Sequence, residues 1–267
     1  MYKIILVLVF FCSLYPAQNM SFIYEAKYQL VKQETSQVRT DYMTLDIKDN
    51  YSIFRERLDR NQDSIALNNG FPLLANGFEN QFYVKKQLKS NNISKIITNS
   101  LLNFLLPIDE KLDWKINKKK KKIGIYNSQN AEVNYGGREW NAWFTTDIPI
   151  SDGPYIFNGL PGLIISISDS SGDYNFNLIQ VKKAENLFDA RTKTIDINWT
   201  KYEQLTQSYY DNPNAELEQK ISSNKVVVTD GEGKRMNLDI KKMNREQQEY
   251  IRKNNNPIEL NHRIDYK

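Results

Sequence analysis

The side chains of this chain that could do chemistry are charged groups near the middle of the sequence. Arg138, Asp147, Asp152 and Asp169 follow one another over a short stretch. Two carboxylates held in one cleft can act as general acid and general base, so Asp147 and Asp169 could serve a carboxylate-dependent hydrolase. Their spacing does not force them together, and salt bridges, turn capping or solvent exposure would account for them equally well.

Scarce residue types exclude several other chemistries. His262 is the only histidine and Cys12 is the only cysteine. A histidine-based triad and a multi-histidine metal site are therefore excluded. If Cys12 leaves with an export signal, the mature chain also lacks disulfides, thiolate nucleophiles and cysteine-based zinc sites. We assign no catalytic residue and predict no metal and no cofactor.

The segment Gly153–Ile164 concentrates glycine and proline immediately before an apolar run. Glycine allows positive φ and proline fixes φ, so we predict a shaped, rigid turn. It is not a phosphate-binding loop, because no lysine followed by serine or threonine comes after the glycines. It either starts a buried strand or forms a rim that presents backbone groups to a ligand or partner. The residues with a structural role in this motif are Gly153, Pro154, Gly159 and Gly162.

Aromatic side chains cluster around this segment. They combine a large apolar area with polar handles, so they could line a hydrophobic or carbohydrate-binding cleft. The competing interpretation is a core strand, in which Trp140 and Phe144 share one face and Trp143 lies on the other, mostly polar face. The residues that we assign to ligand or partner binding are Arg138, Trp140, Trp143, Tyr155, Phe157, Leu160 and Pro161.

A dense basic run, Lys118–Lys122, lies between two apparent strands, and we interpret it as a turn. A lysine near an anionic membrane surface contributes about 1 kcal/mol of binding free energy. The run could therefore contact lipid headgroups or lipopolysaccharide phosphates. The alternative is a solvated hairpin tip whose lysines prevent strand pairing at a sheet edge.

The first residues have the pattern of a secretory signal. Lys3 supplies the positive charge, Ile4–Phe11 is an apolar run, and Ser13–Gln18 approaches a small-residue cleavage site, so we predict a signal peptide over residues 1–18. The apolar run is too short to span a bilayer. We expect Cys12 to be removed with the signal rather than lipidated, and the protein to be exported, either periplasmic or secreted.

Composition describes a globular chain. Of its 267 residues 40% are hydrophobic and 25% charged, and sixteen tyrosines favour strands. A net charge of +4 is too balanced to indicate nucleic acid, which we exclude as a partner.

Alternation of apolar and polar residues predicts the elements that must position these side chains. It predicts a β-rich α+β fold, with a curved antiparallel sheet and helices mainly in the C-terminal part. We expect a β-rich domain over residues 19–198 and a mostly helical extension over residues 199–267, packed on it or partly mobile. The predicted strands include Phe22–Leu30, Met43–Ile47, Tyr51–Glu56 and a hairpin of Leu163–Ser168 with Tyr174–Val181. Glu56–Gly77 reads as a loop, and Phe82–Leu106 is compatible with helix or strands.

The stretch from Tyr126 to Tyr174 resembles the GLPGLI family of exported Bacteroidetes proteins. The resemblance rests on Gly136-Gly137-Arg138, Trp140, Ala142–Ile150, Gly153-Pro154-Tyr155, Phe157 and Gly159–Ile164. Tyr24–Ile47 and Leu112-Asp113-Trp114 match more loosely, and Asn130 stands where relatives often have cysteine. The resemblance implies an exported protein, and the family has no established activity and no catalytic residue to carry over. In pattern alone, the opening strands also resemble lipoprotein-carrier folds of the LolA type, which enclose an apolar cavity.

Three functions remain open. The first is non-enzymatic binding of an apolar or amphipathic ligand, such as a lipid, in the cell envelope, which a deep apolar cavity would support. The second is an envelope accessory protein that docks a partner protein through Gly153–Ile164, which an exposed apolar patch there would support. The third is the carboxylate-dependent hydrolase, which requires converging carboxylates.

Overall fold

The computed structural model of the chain describes residues 19–31, 38–69, 77–90, 92–184 and 189–266. The predicted signal peptide and Cys12 lie outside the described residues. Among the residues described, no helix is both long and apolar enough to cross a membrane.

The elements follow one another as a long series of strands interrupted by one helix and followed by three more. The strands are β1 Met20–Gln29, β2 Val38–Lys48, β3 Tyr51–Glu56, β4 Val84–Gln87, β5 Asn92–Asn99, β6 Leu102–Pro107, β7 Lys115–Ile123, β8 Tyr126–Tyr135, β9 Arg138–Thr145, β10 Leu163–Asp169, β11 Tyr174–Lys183 and β12 Ile195–Asp196. The helices are α1 Arg57–Asn69, α2 Trp199–Asp211, α3 Ala215–Ser222 and α4 Ile240–Lys253, with a short 3-10 helix at Leu260–His262.

The strands form a single twelve-stranded, open and curved sheet. Its order is β12-β6-β5-β4-β3-β2-β1-β11-β10-β9-β8-β7. Neighbouring strands are antiparallel except β12, which pairs with β6 in parallel. Most partners are neighbours in sequence, as expected for hairpin-connected strands. The predicted fold class is confirmed, and Phe82–Leu106 forms strands rather than a helix.

The main core covers the concave face of this sheet. Alternate residues of the inner strands point to it, for example Tyr24 and Ala26 of β1 and Trp140 and Phe144 of β9, all of which are buried. The side chains that pack against them from above come from the loop between β9 and β10 and from Ile258 near the C-terminus. The sheet therefore encloses its own loop.

Helix α1, over residues 57–69, corrects most of the prediction of a loop over Glu56–Gly77, and residues 70–76 lie outside the described residues. It lies on the other face of the sheet, and its buried face is charged rather than apolar. Asp63 of α1 accepts hydrogen bonds from Arg55 Nη1 at 2.7 Å and from Tyr83 at 2.9 Å. Leu58, by contrast, is 64% exposed. Apolar periodicity could not reveal this helix, because ion pairs and not apolar contacts attach it to the sheet.

The predicted hairpin around residues 169–173 is confirmed. It joins β10 to β11, and Gly172 has a φ of +74° in the turn. The interpretation of Lys118–Lys122 as a turn is wrong, because these lysines lie within strand β7. The turn comes after them, at Gly124 and Ile125.

The C-terminal helices are attached by aromatic contacts. Tyr202 and Tyr209 of α2 pack on Phe78 beside the β5–β6 end of the sheet. Trp199 stacks on His262, with ring centroids 3.7 Å apart. The division of the chain at residue 198 stays a prediction.

Candidate functional site

The loop of residues 146–162 fills the concave side of the sheet. Tyr155, Ile156, Phe157 and Leu160 are each at most 1% exposed. The Phe157 ring lies 4.6 Å from that of Trp140 and makes further aromatic contacts with the strands around it. These side chains are therefore core residues of the protein, and the sheet has no open apolar bowl at this place.

One fully buried ion pair attaches the loop to the sheet. Lys86 Nζ of β4 lies 2.5 Å from Asp152 Oδ1 and donates a hydrogen bond to the Gly153 carbonyl at 2.7 Å. Burial lowers the pKa of Lys86, and the Asp152 carboxylate opposes that change. On the neighbouring side, Tyr24 donates to the Ile164 carbonyl at 2.7 Å.

Two glycines allow the loop to approach the strands closely. Gly162 has a φ of +155°, and a Cβ there would lie 2.1 Å from the Thr145 carbonyl oxygen. At Gly153 a Cβ would lie 2.7 Å from Ile164 Cβ. No larger side chain fits at either place without movement of the backbone or core, so both glycines have a close-approach role.

Arg138 connects the β10–β11 hairpin to the C-terminal segment. Its Nη1 donates to Asp169 at 2.7 Å and to Asp173 at 2.9 Å. Its other nitrogens donate to Asn256 Oδ1 at 2.7 Å and to the Pro257 carbonyl at 2.8 Å. The guanidinium is almost fully buried, and these contacts use it to hold protein segments together.

Glu259 is the centre of a second buried cluster. Tyr155 and Tyr135 donate to its Oε1 at 2.6 and 2.9 Å, and Lys95 Nζ lies 3.3 Å from its Oε2. Burial alone would raise the pKa of Glu259, but Lys95 and the two tyrosine hydroxyls lower it below the usual value. The adjoining cavity, which Trp199 also lines, is only about 40 Å³, room for a few water molecules.

The carboxylates proposed for a hydrolase are not brought together. Asp169 pairs in register with Trp140 near the start of β9, whereas Asp147 follows Thr145 at the other end of that strand. Five residues of extended strand separate these positions by about 17 Å. Asp169 is buried against Arg138, and Asp147 is exposed and accepts a hydrogen bond from the Asn127 amide. Among the described residues, no group of three His, Cys, Asp or Glu side chains could hold a metal ion.

An open groove lies at the far edge of the sheet, on strands β7, β8 and β9. Lys120 pairs with Gln129, and Gln129 pairs with Phe144, so the three side chains form a row on one face. Lys122 pairs with Asn127 in the next row toward the turn. These residues line a groove of about 510 Å³, together with Lys121, Ser128 and Thr146. We call it the lysine groove.

The remaining candidate residues do not line this groove. Trp143 points to the other face of the sheet and is partly exposed, and Lys121 Nζ lies 4.0 Å from its ring centroid. Pro161 is exposed, whereas Leu160 beside it is buried. Thus the structure groups Trp140, Tyr155 and Phe157 in the core and separates them from Trp143.

Comparisons with known proteins agree with this architecture. Residues 132–166 match a family described as "Protein of unknown function (Porph_ging)". The match covers β9 and the whole buried loop, and it is consistent with a GLPGLI-type family. No curated protein matches the chain.

Two solved structures of PNGF-II, in space groups P21 and C2, are similar to the chain. The TM-scores are 0.53 and 0.52, with 16% sequence identity in both cases. Each comparison covers 71% of this chain and 33% of PNGF-II, so the chain spans about a third of the length of that protein. At this identity the likeness concerns the fold alone.

Sequence reasoning identified the lysine run but missed the lysine groove. The missing information was the pairing of β7 with β8 and β9, which places Phe144 beside lysines distant in sequence. It also missed Lys86, Lys95 and Glu259, whose partners lie far along the chain. No local pattern marks those residues.

Proposed function

We propose that this chain is an exported, non-enzymatic binding protein of the cell envelope, whose ligand is an amphipathic molecule with an anionic group. The observation that carries the proposal is the lysine groove, in which three lysines of β7 lie beside amide and hydroxyl side chains, above the buried ring of Phe144. The lining is mostly basic and polar, and the methylene stems of the lysines supply its apolar area. The predicted signal peptide and the GLPGLI resemblance support a location outside the cytoplasm.

The charge of the groove favours an anion. None of the residues that line it is acidic. In the described part of the chain, Lys118–Lys122 take part in no salt bridge. Asn127 adds a side-chain amide that can donate hydrogen bonds, whereas the amide of Gln129 already donates to the Asn117 carbonyl at 2.7 Å. A phosphate or sulfate headgroup fits this set of donors, and an alkyl chain can pack against the methylene stems of the lysines.

The volume of the groove also favours it over the small cavity beside Glu259. About 510 Å³ is within the range of small-molecule sites, whereas about 40 Å³ beside Glu259 holds only water or a very small group. In that smaller cavity, moreover, Lys95 and Glu259 already bind each other. A third groove, along α2, carries both acidic and basic residues, including Lys201 and Asp211, and selects neither sign of charge.

Calorimetry with dodecyl phosphate, kept below its micelle concentration, tests the proposal on the mature chain. The double variant Lys120→Gln/Lys122→Gln should bind about thirtyfold more weakly, since each lysine contributes about 1 kcal/mol. The matched control is Lys182→Gln/Lys183→Gln, which removes two exposed strand lysines from β11. It should leave the affinity unchanged.

Three outcomes would overturn the proposal. Absence of binding by the unmodified chain is the first. An equal loss in both double variants would indicate general electrostatic attraction rather than a site. Equal binding of neutral dodecyl maltoside would show that the anionic group is not recognised.

A further inference from the structure

The tip of the β7–β8 hairpin presents an apolar side chain to solvent. Ile125 is 78% exposed, the largest exposure among the large hydrophobic residues described. Gly124 beside it has a φ of +58° and nothing within 4 Å of the position of a Cβ. The neighbours Ile123 and Tyr126 are partly buried against the core, so the residues on both sides of the tip are packed on the protein.

Basic and aromatic groups follow directly behind this tip. Lys118–Lys122 are all exposed, and they belong to β7, the last strand at this edge of the sheet. Trp143 is partly exposed next to Lys121. An apolar tip followed by lysines and a tryptophan is the arrangement of a segment that lies at a bilayer interface, where the tip enters the acyl region and the lysines meet the headgroups.

The same edge is poorly suited to a protein strand. The pairing of β7 with β8 shifts register between Ile116 and Lys120, which interrupts a regular ladder, and such irregularities oppose edge-to-edge pairing. Five successive lysines would also repel the same strand of a second copy. An acidic partner strand would satisfy the charges, but it would leave the exposed Ile125 without a role.

We infer that the β7–β8 hairpin docks the protein on an anionic bilayer, with Ile125 inserted and Lys118–Lys122 against the headgroups. The inference extends the proposed function, on which it rests for the anionic nature of the partner. It adds a membrane-docking surface to the proposed ligand site. Docking along β7 would bring the lysine groove next to the headgroup layer. A lipid headgroup could then enter the groove without leaving the membrane.

Co-sedimentation of the mature chain with vesicles tests this docking. Vesicles of phosphatidylglycerol and phosphatidylcholine in equal parts should bind the chain, and pure phosphatidylcholine vesicles should not. Ile125→Ser should lower the partition constant about tenfold, since it removes an aliphatic side chain from the acyl boundary. The matched control is Ile179→Ser, a change of another exposed strand isoleucine, 53% exposed on β11, which should have no effect.

A lysine variant separates docking from ligand binding. Lys118→Gln/Lys119→Gln lies outside the residues that line the groove, so it should weaken vesicle binding about thirtyfold and leave the affinity for dodecyl phosphate unchanged. Vesicle binding that is insensitive to Ile125→Ser, or equally sensitive to Ile179→Ser, would overturn docking by this hairpin. Displacement of the chain from vesicles by soluble glycerol phosphate would identify a free phosphate compound as the ligand and would also overturn it. If the chain failed to bind dodecyl phosphate but still bound vesicles, the groove would be refuted as a ligand site and docking by the hairpin would stand.

Discussion

Replacement of Gly162 by alanine isolates the physical reason for the glycine-rich loop. The residue has a φ of +155°, which side-chain-bearing residues rarely adopt. Its backbone also lies so close to β9 that a Cβ would be 2.1 Å from the Thr145 carbonyl oxygen. The positive φ and the close approach both disfavour alanine at this position. A second glycine that has only the positive φ allows the two effects to be measured separately.

The second glycine is Gly172, in the β10–β11 turn. Its φ is +74°, but nothing lies within 4 Å of a Cβ there. Gly172→Ala should therefore show the conformational strain alone, about 1 kcal/mol. Gly162→Ala adds a clash that requires about 0.9 Å of backbone movement to restore a 3.0 Å contact. Overpacking of this kind costs about 1–3 kcal/mol, for a total of about 2–4 kcal/mol.

Thermal unfolding of the mature chain, followed by circular dichroism, measures the difference. For a chain of this size 1 kcal/mol corresponds to about 2–4 °C in Tm. We expect Gly172→Ala to lower Tm by a few degrees and Gly162→Ala by about 10 °C. Equal shifts would show that the approach to Thr145 imposes no constraint and would refute the close-approach argument. An unchanged Tm for Gly162→Ala would refute the requirement for positive φ as well.

Two further predictions concern charges. Arg138→Met leaves Asp169 and Asp173 buried without their cation, so it should lower the free energy of unfolding, measured in urea titrations, by about 3–5 kcal/mol. Adding Asp169→Asn and Asp173→Asn to this variant should restore part of the lost stability. Absence of any recovery would contradict the pairing. In the folded protein the pKa of Glu56 is raised to about 7, mainly by burial and then by the charges of Asp59 and Asp41. In the unfolded protein Glu56 has its usual pKa of 4.5 and therefore loses its proton at lower pH. Stability should accordingly fall as pH rises from about 4.5 to about 7, and Glu56→Gln should flatten that fall and stabilise the protein at pH 8 by up to about 3 kcal/mol.

Much of the sheet could be predicted because its strands have one apolar face. The alternation of β1 and β9 identified which side chains point to the core, and those side chains are buried. The β10–β11 hairpin could be predicted because its turn carries its own signal, a glycine in a polar pentapeptide. In these cases the sequence within a few residues determines the structure.

The errors occurred where tertiary charges replace apolar contacts. Helix α1 has a charged buried face, in which Asp63 meets Arg55 and Arg191, so its apolar periodicity is uninformative. Five successive lysines carry no alternation of apolar and polar residues, so their pattern does not predict a strand. An edge strand that is exposed on both faces does not require such alternation, and the turn follows at Gly124.

The candidate site depends on pairs that are distant in sequence. Lys86 and Asp152 form a buried ion pair across 66 positions, and Lys95 reaches Glu259 near the end of the chain. A lone lysine in a strand gives no indication of such a partner. Sequence reasoning could therefore nominate the aromatic residues around the loop, but not decide that they form the core.

These buried pairs also explain where a binding function can reside. Lys86, Arg138 and Glu259 each make several contacts inside the concave face, and the contacts hold the loop of residues 146–162 and the C-terminal segment in place. Recruiting any of these groups for a ligand would leave a buried charge without its partner, which costs several kcal/mol. A ligand that binds the lysines of β7 breaks no buried ion pair, because these lysines lie at the edge of the sheet and are exposed to water. For this reason we propose the binding function for that edge, whereas the buried glycine-rich loop contributes to the core of the fold.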